Sequence, residues 1–202
     1  MTRWRRMGPS GWRRRRSCRS LRSELVRECR RLAKLVEDIA EVEKEMAAAI
    51  VPTRRARRKG AAAPSPVRVK AAELIKLKSI GVHFSAVLAG EVFCRTFRNR
   101  RGLGQYLGLA PSPFQSGEKA RDQGIAKAGD KRARQAMIEL AWLWRRHQPD
   151  SALSRWFHDR VGDQKGRVRR IAIVAMARKL AVALWRYLET GLVPEGAVLK
   201  RA

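Results

Sequence analysis

The chain has 202 residues, enough for one medium domain or a small domain with an extension, and its 46 lysines and arginines against 18 aspartates and glutamates leave a formal charge of +28. So large a positive excess draws polyanions from beyond contact range and makes nucleic acid the expected ligand, but ribosomal and nucleoid proteins share it, so charge names a ligand class and not an activity. A membrane span is excluded, because the most hydrophobic stretch, 171–185, is broken by Arg178 and Lys179 and falls short of the roughly 20 apolar residues a bilayer requires.

Residues 1–20 are rich in arginine and lack the apolar run of a secretory signal, so a disordered basic arm on a cytoplasmic protein is expected. Over 21–50, Leu25, Leu32, Ile39 and Met46 recur seven apart, and Leu35, Val42 and Ala49 follow the last three of them by three positions. That is the heptad seam of a coiled-coil-like helix, flanked by charges of both signs. It serves either self-association into a homo-oligomer or packing on the chain's own domain.

Residues 51–70 contain Pro52, Pro64 and Pro66, a basic run from Arg54 to Lys59, and a stretch of small residues, the composition of a basic linker. A compact helical domain is expected over 71–202. Its first helix begins at Ala71 and breaks at Ser79 and Gly81, and a second runs through Ala86 to Val92. The turn between them, Leu77 to Val82, resembles half of a helix-hairpin-helix, whose Gly turn aims backbone N–H groups at a phosphate. The usual second glycine is missing, since His83 stands beyond Val82, and an ordinary helix-helix turn accounts for it equally well.

Arg95, Arg98, Arg100 and Arg101 then form a basic entrance to a short helix carrying Leu103, Tyr106 and Leu107. From Gly108 to Asp130, prolines and glycines interrupt every helical pattern and predict one long functional loop. Asp130 is placed to N-cap a helix over 131–147, with Met137, Leu140, Ala141 and Trp144 on one face. Lys131, Arg132 and Arg134 crowd its first turn, where cations oppose the helix dipole unless an anion binds. Further helices are expected over 151–161 and 170–190. Trp142, Trp144, Trp156 and Trp185 are assigned to core packing, because no basic-aromatic alternation marks them for stacking on bases.

Metal chemistry finds no footing in these residues. Cys18, Cys29 and Cys94 are odd in number and far apart, and His83, His147 and His158 do not complete a ligand set, so no metal or cofactor is expected in this chain. Ser116, directly before Gly117, has an unhindered hydroxyl with Lys119, Arg121 and Lys127 close in sequence. Serine can attack phosphorus to give a covalent phosphoserine link that conserves bond energy for rejoining, with nearby cations stabilising the transition state. A Ser-Gly pair is also common in plain turns.

Several motifs in fixed order settle between these readings by resemblance: Phe97-Arg98-Asn99-Arg100-Arg101, Gly108-Leu109-Ala110-Pro111, Gln115-Ser116-Gly117, Gly124 through Gly129, Glu139-Leu140-Ala141-Trp142, Gln148-Pro149, Arg169 through Leu180, and Gly191 through Ala197. Together they resemble the C-terminal domain of the insertion-sequence one-ten family of transposases, over about 71–200, and the preceding helix resembles that family's coiled-coil segment. The resemblance implies an RNA-guided transposase that cleaves and rejoins DNA strands through a serine nucleophile, matched here by Ser116. Arg98, Arg100, Arg101, Lys119, Arg121, Lys127, Lys131, Arg132 and Arg134 would then hold the DNA or the guide RNA. It also implies a RuvC-like N-terminal domain whose acidic quartet binds a divalent metal (Mg). That domain is not in this sequence, which points to a truncated element. The alternative is a non-catalytic nucleic-acid-binding fragment that dimerises with full-length transposase through 21–50. One departure from the family pattern is Asp130, where Asn is common.

Overall fold

The computed structural model describes residues 18–50, 65–116 and 119–200. The basic arm, except for its last three residues, and the linker over 51–64 lie outside them. The chain divides between Lys44 and Glu45 into two compact units.

Helix α1 (Cys18–Ile50) is the expected long helix, begun three residues early. The seam residues Leu25, Leu32, Leu35, Ile39 and Val42 keep 53–65% of their surface exposed. Charged neighbours along the helix are paired at the expected intervals, Arg31 with Glu28 at 2.8 Å and Lys34 with Asp38 at 3.0 Å. Such pairs add a few tenths of a kcal/mol, on the order of 0.2–0.5 each, to a helix.

The second unit begins at Glu45, within the last turns of α1, and continues in α2 (Pro66–Leu74), which starts inside the stretch 51–70 expected as linker. Ser65 accepts the Arg68 N–H and Pro66 stands at the first helical position, where its missing N–H costs nothing. Helix α3 (Val82–Val87) runs on into a single π turn, Leu88–Val92, in which the Phe93 N–H reaches Leu88 O at 2.8 Å. Helix α4 (Arg100–Tyr106) is capped by Asn99, whose Oδ1 accepts from the N–H groups of Arg101 and Gly102 at 3.0 and 2.9 Å. After a two-stranded ribbon come α5 (Lys131–His147), α6 (Ala152–Val161) and α7 (Arg167–Thr190). Helix α7 starts three residues before its predicted start and stops at Gly191, whose φ of +74° is a left-handed C-terminal cap.

The architecture is all-α, apart from that ribbon, and α7 is its centre. Ala172, Ile173, Met176, Ala177, Leu180, Ala181, Leu184 and Tyr187 are buried at spacings of one, three and four along it. Helices α2, α4, α5 and α6 pack against this helix from different sides. Helix α5 contributes Met137, Leu140, Ala141 and Trp144, the face read from the sequence, all fully buried. The Trp144 indole N–H donates to Ser151 Oγ at 2.9 Å, and the same oxygen caps α6 by accepting the Ser154 N–H. Trp142, Trp156 and Trp185 are half-buried against this core.

Part of the backbone of the Leu77–Val82 turn is engaged within the chain. Lys78 N–H donates to Val198 O at 3.0 Å, Lys200 N–H to Lys76 O at 2.7 Å, and the Gln148 side-chain amide to Lys78 O. Gln148, only 2% exposed, also accepts the Val198 N–H at 2.8 Å, so the Gln148-Pro149 motif ties the C-terminal tail to the first turn of the domain. Among the described residues no helix is long and apolar enough to cross a membrane.

Candidate nucleic-acid interface

The stretch expected as one long loop is an antiparallel β-hairpin on a short strap. Strand β1 (Pro111–Ser116) pairs with β2 (Lys119–Ile125), and the strap 126–130 leads into α5. The sequence hides it because two prolines sit in β1 and neither strand alternates polar with apolar residues; a two-stranded ribbon tolerates proline because each strand has an outer edge. Pairing passes from Pro111↔Ile125 to Pro113↔Asp122, leaving β2 one residue longer. Gly124, at φ +83°, supplies the left-handed residue of this bulge.

Ser116 ends β1 directly opposite Lys119, and Phe114 stands opposite Arg121.

The hairpin is rooted where the strap crosses the end of α4. Ala126 N–H donates to Ala110 O at 2.9 Å, Lys127 N–H to Gly108 O at 3.2 Å and Asp130 N–H to Tyr106 O at 3.0 Å. The approach is close enough to require glycine on both sides. A Cβ on Gly108, at φ +63°, would lie 2.2 Å from Ala128 O; one on Gly129, at φ +98°, would lie 2.0 Å from Tyr106 O. Two glycines of the motifs Gly108-Leu109-Ala110-Pro111 and Gly124 through Gly129 are therefore the two halves of one backbone crossing. Lys127, at φ +55°, also takes the left-handed conformation, and it leaves its side chain exposed.

The predicted cations divide by what they touch. Arg98, Arg100 and Arg101 are exposed around the start of α4. Arg134 is half-buried and donates through Nη1 to Lys127 O at 2.9 Å, holding the strap. Arg132 reaches Glu91 at 2.9 Å, while Lys127 and Lys131 make no ion pair among the described residues. The N-terminus of α5 does not wait for an outside anion: Asp130 Oδ1 accepts the Ala133 N–H at 2.9 Å, so an internal carboxylate meets the helix dipole beside these cations.

Tyr106 is the residue that sequence reasoning did not single out. Its hydroxyl donates to Glu91 O at 2.8 Å and lies 3.5 Å from Asp130 Oδ2, Arg95 stacks over its ring at 4.9 Å, and Phe97 packs 5.7 Å from it. It joins the π turn, the basic entrance and the strap, and its position at the last turn of a basic helix was the only signal. A second basic-aromatic group was also missed. Arg145 and Arg169 lie 5.5 and 5.1 Å from the Trp142 ring centre, and Lys179 lies 4.8 Å from that of Trp156. These partners are three residues apart on one helix or come from separate helices, so no alternation announces them. Among the described residues no three His, Cys, Asp or Glu side chains gather as a cation site.

Residues 71–155 match the profile of the transposase IS116/IS110/IS902 family. A Sinorhizobium fredii protein named as a transposase, y4rJ, is 46% identical over 183 residues, which are 89% of this chain and 45% of that protein. A second from the same organism, y4qE, is 35% identical over 85 residues, 42% of this chain and 21% of its own length. The transposase for insertion sequence element IS1328 of Yersinia enterocolitica is 26% identical over 126 residues, 61% of this chain and 37% of its own length. The chain thus spans less than half the length of the curated relatives it matches.

Proposed function

We propose, from the match of residues 71–155 to the IS116/IS110/IS902 transposase family, that this chain acts in DNA transposition as the strand-cleaving and rejoining part of an insertion-sequence transposase, with Ser116 as nucleophile. The observation that carries the reading is the hairpin register, which sets Ser116 opposite Lys119 on a polar ribbon that is rooted in the domain. The Ser116 oxygen forms a bond to a backbone phosphorus, one P–O ester bond breaks, and the freed strand end leaves as a hydroxyl that takes up a proton. The phosphoserine link keeps the bond energy, and the reverse attack by a second strand end rejoins the DNA. Lys119 and Arg121 counter the charge on the pentavalent phosphorus, and Lys127 and Lys131 hold the flanking backbone. Arg98, Arg100 and Arg101 extend the same basic surface towards a guide RNA. Arg132 and Arg134 serve the nucleic acid indirectly, by steadying the π turn and the strap from which the hairpin rises. The divalent metal (Mg) of such an enzyme would be held by residues outside this chain.

The test combines the purified chain with the N-terminal half of y4rJ and labelled element-end DNA. A covalent protein–DNA adduct that survives denaturation is the expected product, absent in Ser116→Ala and retained in Ser112→Ala. An adduct formed by Ser116→Ala would remove this residue from the mechanism.

A further inference from the structure

Helix α1 presents an apolar seam in which Leu25, Leu32, Leu35, Ile39 and Val42 are each more than half exposed. Its charges are not evenly spread along that seam. Residues 19–34 carry six lysines and arginines with two glutamates, whereas residues 35–50 carry five carboxylates with one lysine. The helix is a rod with a basic first half and an acidic second half. Two such rods side by side in the same direction set like charge against like along their whole length, and in opposite directions they set basic against acidic.

The heptad fixes the detail. The positions flanking the seam are Glu24, Arg31, Asp38 and Glu45 on one side and Arg22, Cys29, Val36 and Glu43 on the other. In a parallel pair the two sides face each other with a five-residue offset, and the one charged contact this gives, made twice, is Asp38 with Glu43 of the second copy, a repulsion. In an antiparallel pair each side faces itself. With Leu32 opposite the partner's Leu35, Leu25 meets the partner's Val42, Arg31 meets the partner's Asp38 and Arg22 meets the partner's Glu43. By symmetry each contact occurs twice. Glu28, in a seam position, and Glu24, which meets the partner's Glu45, oppose this arrangement near its ends. Sliding by one heptad is worse in either direction: one way joins Arg31 to the partner's Glu45 but sets Asp38 against Asp38 and loses both Arg22–Glu43 pairs, and the other sets Arg31 against Arg31 and Glu24 against Asp38.

We propose that α1 is a homodimerisation element that pairs with α1 of a second copy in antiparallel orientation, in the register that joins Arg31 to the partner's Asp38. The pairing is independent of the serine chemistry, since no seam residue belongs to the hairpin or its strap.

Disulfide trapping of the full chain tests it, in a background where Cys18, Cys29 and Cys94 are replaced by serine. Chains carrying Leu25→Cys mixed with chains carrying Val42→Cys form the mixed disulfide. Neither variant alone cross-links to itself, because the identical positions are about 25 Å apart at 1.5 Å rise per residue. A self-linked Leu25→Cys dimer would overturn the orientation, and a chain that sediments as a monomer at tens of micromolar would overturn the pairing. The register has its own check: Arg31→Glu weakens dimerisation about tenfold, and mixing with Asp38→Arg chains restores it. Unchanged dimerisation in Arg31→Glu rules this register out.

Discussion

The helical core around α7 and the ribbon of β1 and β2 obey different rules. The core holds itself together by burial: Leu140, Trp144, Met176, Leu180 and Leu184 are fully enclosed, and four helices close on one. The ribbon has two strands and largely polar positions, and such a hairpin is marginal in water by itself. It persists because backbone bonds and two glycine crossings root it in the domain. The element that carries the candidate nucleophile thus adds little to the stability of the fold, so stability and strand transfer should come apart under mutation.

The largest effect comes from breaking the core. Leu140→Ala removes a side chain with no exposed surface from the α5–α7 contact, and a buried cavity of that kind costs about 3–5 kcal/mol. Calorimetry should show a drop in Tm of the whole compact unit, with adduct formation lost as the domain melts. A Leu140→Ala chain with unchanged Tm would mean that the packing described for α5 is not the one that holds the fold.

The next effect breaks the root and spares the core. Gly129→Ala forces a Cβ to within 2.0 Å of Tyr106 O at φ +98°, and strain plus overpacking together cost about 2–4 kcal/mol. Amide exchange should rise first at Ala126, Lys127 and Asp130, whose N–H groups tie the strap to Ala110 O, Gly108 O and Tyr106 O, while core amides of α7 stay protected. Adduct formation should fall further than Tm does. If exchange rises evenly across α5 and α7 as well, the ribbon and the core are one cooperative unit and the contrast drawn above fails.

How the two regions could be read from sequence differs for the same reason. The faces of α5 and α7 were legible because burial on one side of a helix imposes a spacing of three and four residues, which Met137, Leu140, Ala141 and Trp144 follow. The start of α2 was obscured by the basic, proline-containing run before it, although Ser65-Pro66 is a sound helix start. The ribbon was invisible: Pro111, Pro113 and Gly124 read as breaks, and neither strand alternates apolar with polar residues. Its root was present in the sequence only as glycines, and what they approach is set by tertiary structure. Tyr106 and the Trp142 group were illegible for a related reason, since most of their partners come from separate elements. The seam of α1 was legible as a heptad, but its direction of pairing lay in the charge order of the whole helix.

A smaller effect sharpens the division at the N-cap of α5. Asp130 Oδ1 caps the helix through the Ala133 N–H, so Asp130→Ala should lower stability by about 1 kcal/mol. Asp130→Asn keeps an oxygen in the same place and should leave Tm nearly unchanged, while removing a negative charge beside Lys127, Lys131 and Arg132. Nucleic-acid affinity of that variant should rise, most at low salt, where phosphate contacts count most. Equal losses of Tm in both variants would show that the carboxylate charge, not the cap oxygen, holds this corner.

The smallest effect belongs to the core and appears only in alkali. Tyr187, 6% exposed at the far end of α7, donates its hydroxyl to Glu73 O and Oε2, both at 3.3 Å. Burial, and then the Glu73 carboxylate, raise its pKa above the usual 10.0. The folded chain therefore holds the phenol proton more tightly than the unfolded chain does, so this contribution is complete below about pH 10 and is lost as pH climbs through the raised folded value. Lys200 runs the other way, because burial lowers its pKa from 10.5 and its ammonium is disfavoured in the fold at neutral pH. Its penalty disappears as the amine loses its proton, which partly offsets the tyrosine over the same range. Tyr187→Phe removes only the phenol: Tm near neutral pH should move by less than the equivalent of about 1 kcal/mol, and the fall in Tm from about pH 9 to pH 11 should become shallower than in the parent chain. An equally steep fall would assign the alkaline loss to groups other than Tyr187 and leave α7 without a titrating anchor at that end.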